Sequence, residues 1–414
     1  MTEGKYSPVF YDLIAAAGDN PGPGRGTVKR ALAALRSHLG MKVAYVSEIV
    51  DGHSVFREVD APGLEAVVKV GDRYPLDDVY CRHILEGRLP ELMPDTAAVP
   101  MAAAMPITTQ TPSGAHMSVP IRLADGRVYG MFCCLNFESD PSLNKRDLQI
   151  MRAFADIAAF EISREIDATR VTEERAARLR KVIDEGRLSI AFQPIWNVGD
   201  RRPLGLECLP CFSDTMPRSA EQWFAEASAT GLRVELELAV CQLALPALSS
   251  LPADIYISLN VHPTTILSAA FQNLIETVPL HRVVLEMSDD AIVEDYDRLL
   301  ASLRPLRNKG MRLAVDNAGA GYSNLKHILY LKPELIKLDS ALTRSIDFDP
   351  VRRALVSALT GFARDIDARI VAGGVETESE LAMLTTLGIE SAQGHFLGRP
   401  EPLDRAMSLI GLYL

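Results

Sequence analysis

The sequence predicts an α/β protein in two parts, an N-terminal α+β domain (antiparallel sheet with helices) and a C-terminal (β/α) barrel, joined by a long helical linker. Three observations carry this. Beyond Gly186, short apolar strands alternate with amphipathic helices, and parallel strands need helical crossovers of that length. From Lys145 to Glu185 there is neither Pro nor Gly, while Arg164, Glu165, Glu173, Glu174, Arg178 and Lys181 alternate with Ile162, Ile166, Leu179 and Val182. That pattern predicts one helix of about 60 Å at about 1.5 Å per residue, or two helices meeting near Ala168. Upstream, Asp51-Gly52 and Asp125-Gly126 are hairpin signals between apolar runs.

In chain order, the spacing of Val28, Leu32, Leu35 and Leu39 predicts a helix over Gly26 to Leu39. Lys42 to Val50 and Ser54 to Val59 read as strands. A long irregular stretch follows, then strands at Ser118 to Arg122 and Val128 to Phe137 and a helix opening near Asn144. After Gly186, strands are expected at Ser189 to Phe192, Leu204 to Leu209, Ile255 to Asn260, Val283 to Met287, Arg312 to Val315, Leu335 to Leu338 and Arg369 to Ala372. The expected domains are 1–165, a linker over 166–186, and 187–414.

Composition narrows the function. The 414 residues suit two or three domains, and 48% hydrophobic with 23% charged residues is ordinary for a globular chain. A net charge of -11 argues against capture of a nucleic-acid polymer or an anionic membrane surface, though it leaves room for a local anion pocket. No run of eighteen apolar residues occurs, and Met1 to Tyr6 has no basic segment leading into an apolar one, so neither a membrane span nor a signal peptide is expected. Six cysteines without a paired framework suit a reducing compartment, and the cytoplasm is the expected location.

The order of elements over residues 10 to 165, with Ser118-Val119-Pro120-Ile121 and Gly130-Met131-Phe132, resembles a GAF domain, a sensor module of small-molecule and dimer signalling. The sequence does not name its ligand. Cys81-Arg82-His83 in the loop-rich region could hold a bilin thioether or ligate haem, against the commoner reading of ordinary surface and core. Cys133 and Cys134 are expected to point to opposite faces of a central strand.

In the barrel, Glu207, Asn260, Glu286, Asp316 and Lys337 each stand at the carboxyl end of an expected strand, where barrel chemistry sits. Carboxylates and a carboxamide gathered at one mouth call for a cation, and oxygen donors suit Mg or Mn. The segments Gln193-Pro194-Ile195, Glu207-Cys208-Leu209, Ser258-Leu259-Asn260 and Leu285-Glu286-Met287-Ser288-Asp289 resemble the EAL domain. So do Asp316-Asn317-Ala318-Gly319-Ala320-Gly321-Tyr322-Ser323, Leu335-Ile336-Lys337-Leu338-Asp339, Gly374-Val375-Glu376-Thr377 and Gln393-Gly394, in family order over 187 to 414. Members of that family hydrolyse cyclic di-GMP to the linear dinucleotide. The resemblance implies a two-metal mechanism, with one cation held at Glu207, Asn260, Glu286 and Asp316. It implies that Lys337 and Glu207 carry any residual catalysis and that Gln193 and Gln393 lie near the nucleotide.

The pattern then breaks. The Asp expected beside Asp316 is Asn317, and the first Glu of the family's Ala-Glu-Gly-Val-Glu is Gly373; Glu376 matches its other Glu. The signature's Arg, which contacts a ligand phosphate, is Cys211, and Ala318 and Ala320 replace Phe and Thr. Glu207, Glu286, Asp316 and Lys337 sum to a charge of -2 where the family pattern gives -4. Two divalent cations about 4 Å apart repel by roughly 17 kcal/mol at an effective dielectric of about 20, so half the usual ligand charge holds one cation and not two. Two outcomes follow. The barrel is a catalytically inactive receptor or protein-interaction module regulated by the GAF domain, binding cyclic di-GMP weakly or not at all and acting on an unknown protein partner; or it is a weakened phosphodiesterase using one Mg or Mn and Lys337.

Three further expectations complete the reading. Cys208 and Cys211, with Cys241, have zinc-like spacing but fit better as small hydrophobes. Trp196 could stack on a guanine or sit in the core. A long amphipathic helix exposing Ile162, Ile166 and Leu179 predicts a homodimer that buries them.

Overall fold

The computed structural model describes residues 25–213, 218–288, 292–318 and 323–411. The motif residues Asp289 and Gly319 to Tyr322, including Ala320, lie outside the described residues, as do residues 1–24 of the expected first domain. The chain divides into two compact units, Met1–Val171 and Thr172–Leu414.

The first unit is an antiparallel sheet of six strands: β1 (Val43–Val50), β2 (His53–Asp60), β3 (Arg73–Pro75), β4 (Leu92–Met93), β5 (Ala115–Arg122) and β6 (Val128–Asn136), in the order β3-β2-β1-β6-β5-β4. Both expected hairpins form. At the first, Asp51 and Gly52 take φ of 47° and 72°, the left-handed pair that a two-residue hairpin turn requires. The helix Arg25–Leu39 buries Val28, Leu32, Leu35 and Leu39, as their spacing demands, and packs with Met151, Phe154, Ala158 and Ile162 over one face of the sheet. The opposite face is covered by the irregular stretch and its short helices, through Val79, Tyr80, Cys81, Ile84 and Met105. Neighbouring Cys133 and Cys134 fall in these two different cores, as strand alternation requires.

The helix Lys145–Asp184 is continuous over 40 residues. Its early turns belong to the first core. Its last turns put Leu179 and Val182 in a second-unit cluster with Leu188, Trp223, Ala227 and Leu236. This corrects the exposed face expected from the sequence: Ile162 and Leu179 are covered by the chain's own cores, whereas Phe160 is 66% exposed and Ile157, Ile166 and Val171 are 36–37% exposed. No helix among the described residues is long and apolar enough to cross a membrane.

The second unit is a closed barrel of β7 (Leu188–Asn197), β8 (Pro203–Phe212), β9 (Tyr256–Asn260), β10 (Val283–Met287), β11 (Arg312–Ala318), β12 (Leu335–Leu338), β13 (Arg369–Ala372) and β14 (Ser391–Ala392), each beside the next and β14 beside β7. Strands β8 to β14 run parallel, but β7 is antiparallel to both neighbours. The all-parallel reading fails here because the link 198–202 is a turn, with Asn197 Oδ1 accepting the Gly199 amide at 2.9 Å, too short for a parallel crossover. Inside the barrel, Ile195, Tyr256, Val284, Ala314, Leu335 and Val371 form one apolar layer. Strand side chains repeat every second residue, so the next layer toward the carboxyl ends is set by register: Glu286 follows Val284, Asp316 follows Ala314, Lys337 follows Leu335, and Gly373 follows Val371.

Candidate functional site

That next layer is the mouth, and the structure brings all five strand-end residues together there. Lys337 Nζ stands 2.6 Å from Glu286 Oε2, 3.1 Å from Glu207 Oε1 and 3.9 Å from Asp316 Oδ1. Asn260 Nδ2 donates to Glu207 Oε1 at 3.1 Å. The expected nucleotide residues are engaged as well: Gln393 Nε2 donates to Glu207 Oε2 at 2.6 Å and to Gln193 Oε1 at 2.9 Å, and Gln193 Nε2 donates to the Gly398 carbonyl at 3.0 Å. Gln193 reaches this position because β7 lies antiparallel to β8, which sets it directly opposite Glu207.

Two supports carried no role in the sequence reading. Ser258, two residues before Asn260 and on the same face, donates its hydroxyl to Glu286 Oε1. Glu237, 2% exposed, pairs with Arg233 at 2.9 Å and accepts the backbone N–H of His262 at 2.9 Å, which fixes the turn just beyond Asn260. The i, i+4 spacing of Arg233 and Glu237 on one helix is the signal that could have found it.

Burial raises the cost of charge at the mouth, and the number of donors decides who bears it. Burial pushes the Glu207 carboxyl up, but the Lys337 ammonium and the bonds from Gln393, Lys337 and Asn260 outweigh it and hold Glu207 below the usual carboxylate range. Glu286 has only Lys337 and Ser258; burial and the charge of Glu207 push it up to about 8 against the pull of Lys337. Burial works against the Lys337 charge, yet Glu207, Glu286 and Asp316 together hold its ammonium well above the usual lysine value. Among the described residues no three His, Cys, Asp or Glu side chains come together in a metal-holding arrangement; the carboxylates converge on the ammonium.

The other side of the mouth is bare. Asn317 sits beside Asp316 with φ of 56°, a left-handed conformation that Asn and Asp tolerate better than other side chains. Gly373 has no side chain, and a Cβ added there would stand 2.9 Å from the Leu338 carbonyl oxygen, closer than backbone contacts permit. Glu376 does not substitute: it pairs with Arg344 at 2.5 Å, both side chains being well exposed. Cys211 is exposed on β8. Cys208 and Cys241 are packed in the barrel core with Trp196, and burial pushes the Cys208 thiol well up and that of Cys241 up to about 12. In the first unit, Cys81 is buried with its sulfur 3.9 Å from Ser54 Oγ, and His83 Nε2 is 3.2 Å from the Asp77 carbonyl.

Family comparison agrees with this architecture. A GAF domain model matches residues 25–162 and an EAL domain model residues 176–400. The chain is 34% identical over 132 residues to the bifunctional diguanylate cyclase/cyclic di-GMP phosphodiesterase MucR of Pseudomonas aeruginosa, covering 32% of this chain and 19% of that protein. It is 27% identical over 255 residues to the cyclic di-GMP phosphodiesterase PdeB of Shewanella oneidensis, covering 58% of this chain and 29% of that protein. The chain thus spans less than a third of the length of either. The solved structure of the PaMucR phosphodiesterase in complex with c-di-GMP superposes with a TM-score of 0.52 at 27% identity, covering 56% of this chain and 99% of that one. With its closed barrel, its strand-end residues and more than half its length matched, the chain belongs to the EAL domain family, carrying a GAF domain ahead of the EAL domain.

Proposed function

We propose that the chain is a cyclic di-GMP signalling protein whose EAL barrel is catalytically inactive and works as a receptor or protein-interaction module regulated by the GAF domain. The observation that carries this is the bare side of the mouth: Asn317 is neutral, and Gly373 lies where even a Cβ would meet the Leu338 carbonyl at 2.9 Å. A second divalent cation has no carboxylate of its own there.

In donor type and charge, though not in their present arrangement around Lys337, the mouth donors suit one cation. With Glu286 ionised, Glu207, Glu286 and Asp316 against Lys337 leave two negative charges, and Asn260 adds a neutral oxygen, a hard site suited to Mg or Mn. Such an ion supplies Lewis-acid polarisation of a phosphodiester oxygen or of water when bound. The chain's own part is to release the carboxylates from Lys337, which then stays beside them as a proton-bearing cation. Nucleotide contact by Gln193 and Gln393 requires them to give up their present bonds to Glu207 and Gly398, which favours weak cyclic di-GMP binding or none. The intact set Glu207, Asn260, Glu286, Asp316 and Lys337 supports a second reading, a weakened phosphodiesterase giving the linear dinucleotide.

The deciding experiment incubates the full chain with cyclic di-GMP and excess Mn and follows the linear dinucleotide. No product above the blank is expected. Several turnovers per minute, abolished by Lys337→Met or Glu207→Gln, would establish the second reading. Exposure of Ile157, Phe160, Ile166 and Val171 along the long helix supports a parallel homodimer, checked by sedimentation at micromolar concentration, where a monomer would refute it. The cytoplasm is the proposed location, and the downstream partner is a protein.

A further inference from the structure

The first unit holds a cavity of about 50 Å³ between the sheet and the irregular stretch that covers it. Its walls include Tyr45, Phe56, Tyr74 and Tyr80. Tyr45 stacks on Phe56 with centroids 4.2 Å apart, Phe56 lies 5.4 Å from Tyr74, and Tyr80 meets the His116 ring edge-on at 4.7 Å. Two polar side chains interrupt this wall. His116 is 2% exposed and Ser113 is 7% exposed, and neither His116 Nδ1 nor Ser113 Oγ has a hydrogen-bond partner. A buried polar group left unpaired costs about 1–3 kcal/mol, and native folds rarely keep one without a use. Here the two residues that carry such atoms line the same small space.

We propose that this cavity binds a small uncharged molecule with a flat apolar body and one hydroxyl or ring nitrogen, which His116 and Ser113 hydrogen-bond. The aromatic walls supply the flat contact. Charge is excluded because no lining side chain is a lysine, arginine, aspartate or glutamate, so a phosphate or carboxylate would lose its water with nothing to replace it. His116 is itself uncharged near neutral pH, since burial pushes its imidazole down to about 3, which leaves it one donor and one acceptor to offer.

Size sets how the molecule enters. A cavity of roughly 150 Å³ accommodates benzene, so a single ring needs this one to widen. The wall that can give is at Val67 and Val68, whose amides bond the Leu64 carbonyl at 2.8 and 3.0 Å rather than any strand, and Val67 is already 66% exposed. This inference goes beyond the reading of the barrel and does not depend on it.

The test titrates phenol into the full chain by calorimetry and ligand-observed NMR at about pH 7.5, with benzoate as the charged counterpart of similar shape. Phenol is expected to saturate at one site per chain and benzoate to bind at least about tenfold more weakly. Ser113→Ala should weaken phenol about fivefold, the worth of one hydrogen bond, and His116→Phe should weaken it further. Ser113→Ala keeps the test decisive if His116→Phe fails to fold, because its hydroxyl holds nothing in place. The proposal is overturned if phenol does not saturate below about 10 mM, a millimolar affinity being the weakest useful one. It is also overturned if benzoate binds as well, if Ser113→Ala leaves the affinity unchanged, or if a crystal grown with phenol shows only an ordered water between His116 and Ser113.

Discussion

The barrel mouth and the N-terminal cavity are both buried and polar, but they are polar in opposite ways. At the mouth every charged group is answered by a neighbour: three carboxylates share one ammonium, and Asn260, Gln393 and Ser258 supply the remaining donors, although the Gln393 Oε1 oxygen is itself left without a partner. The cavity has no charge at all, yet leaves His116 Nδ1 and Ser113 Oγ unanswered. A network whose charges are all paired holds the fold and resists a newcomer, whereas spare donors and acceptors in an apolar wall cost stability until something binds. The contrast also explains which residues the mouth has kept. Removing one member of a buried charge network strands the others, whereas a neutral Asn317 and an absent side chain at 373 strand nothing.

The largest expected effect tests the paired network. Lys337→Met leaves Glu207, Glu286 and Asp316 facing one another and should destabilise the barrel by about 3–5 kcal/mol. Both tryptophans, Trp196 and Trp223, lie in the barrel unit, so urea unfolding followed by tryptophan fluorescence isolates that unit; a loss below about 1 kcal/mol would break the comparison. The second effect belongs to the cavity. The folded imidazole of His116 titrates near 3, below an unfolded value of about 6.5, so below pH 6.5 the unfolded chain takes up a proton that the native state refuses. Stability is fully present above that pH and falls by about 1.4 kcal/mol per unit down to about pH 3, or roughly 2 kcal/mol at pH 5. Hydrogen exchange of β5 amides between pH 5 and 7, corrected for intrinsic rates, should show this slope, and His116→Phe should flatten it.

A paired comparison comes next. Ser258→Ala removes a donor from Glu286 and should cost about 1.5 kcal/mol, whereas Ser113→Ala, which breaks no bond and removes an unpaired buried hydroxyl, should stabilise its unit by about 1 kcal/mol. Equal costs, each read in its own unit, would erase the distinction between the two sites. The smallest effect is Asn317→Asp. Its backbone already suits Asp, so stability should change by less than about 1 kcal/mol while Mn binding tightens in calorimetry. Adding Gly373→Glu should not restore hydrolysis, because its Cβ must first displace the Leu338 carbonyl.

Much of this was legible in the sequence. The barrel followed from strand and helix alternation, and the five mouth residues from polar side chains that each end an apolar run. What escaped depended on neighbours distant in the chain. The antiparallel β7 is visible only in how short the link 198–202 is, and the bonds from Gln393 to Gln193 and to Glu207 join residues 200 and 186 positions apart. His116 drew no attention because one histidine in the run Ala115–Arg122 looks like any core residue. Its isolation appears only when the opposing wall is known to offer it no partner. The long helix was legible as one piece or as two meeting near Ala168, and the structure makes it one, but which of its apolar residues face solvent depended on two separate cores that no periodicity reveals.

The end of that helix also dictates where the chain can be divided. Leu179 and Val182 fill the space beside Trp223, Leu232 and Leu236, and Arg178 grips Glu226 at 2.6 Å. A fragment beginning at Arg187 would lose those plugs, bare an oily trough along its first helices and aggregate on expression. One beginning at Thr172 carries its own seal, and limited proteolysis of the intact chain should leave a durable piece starting near there.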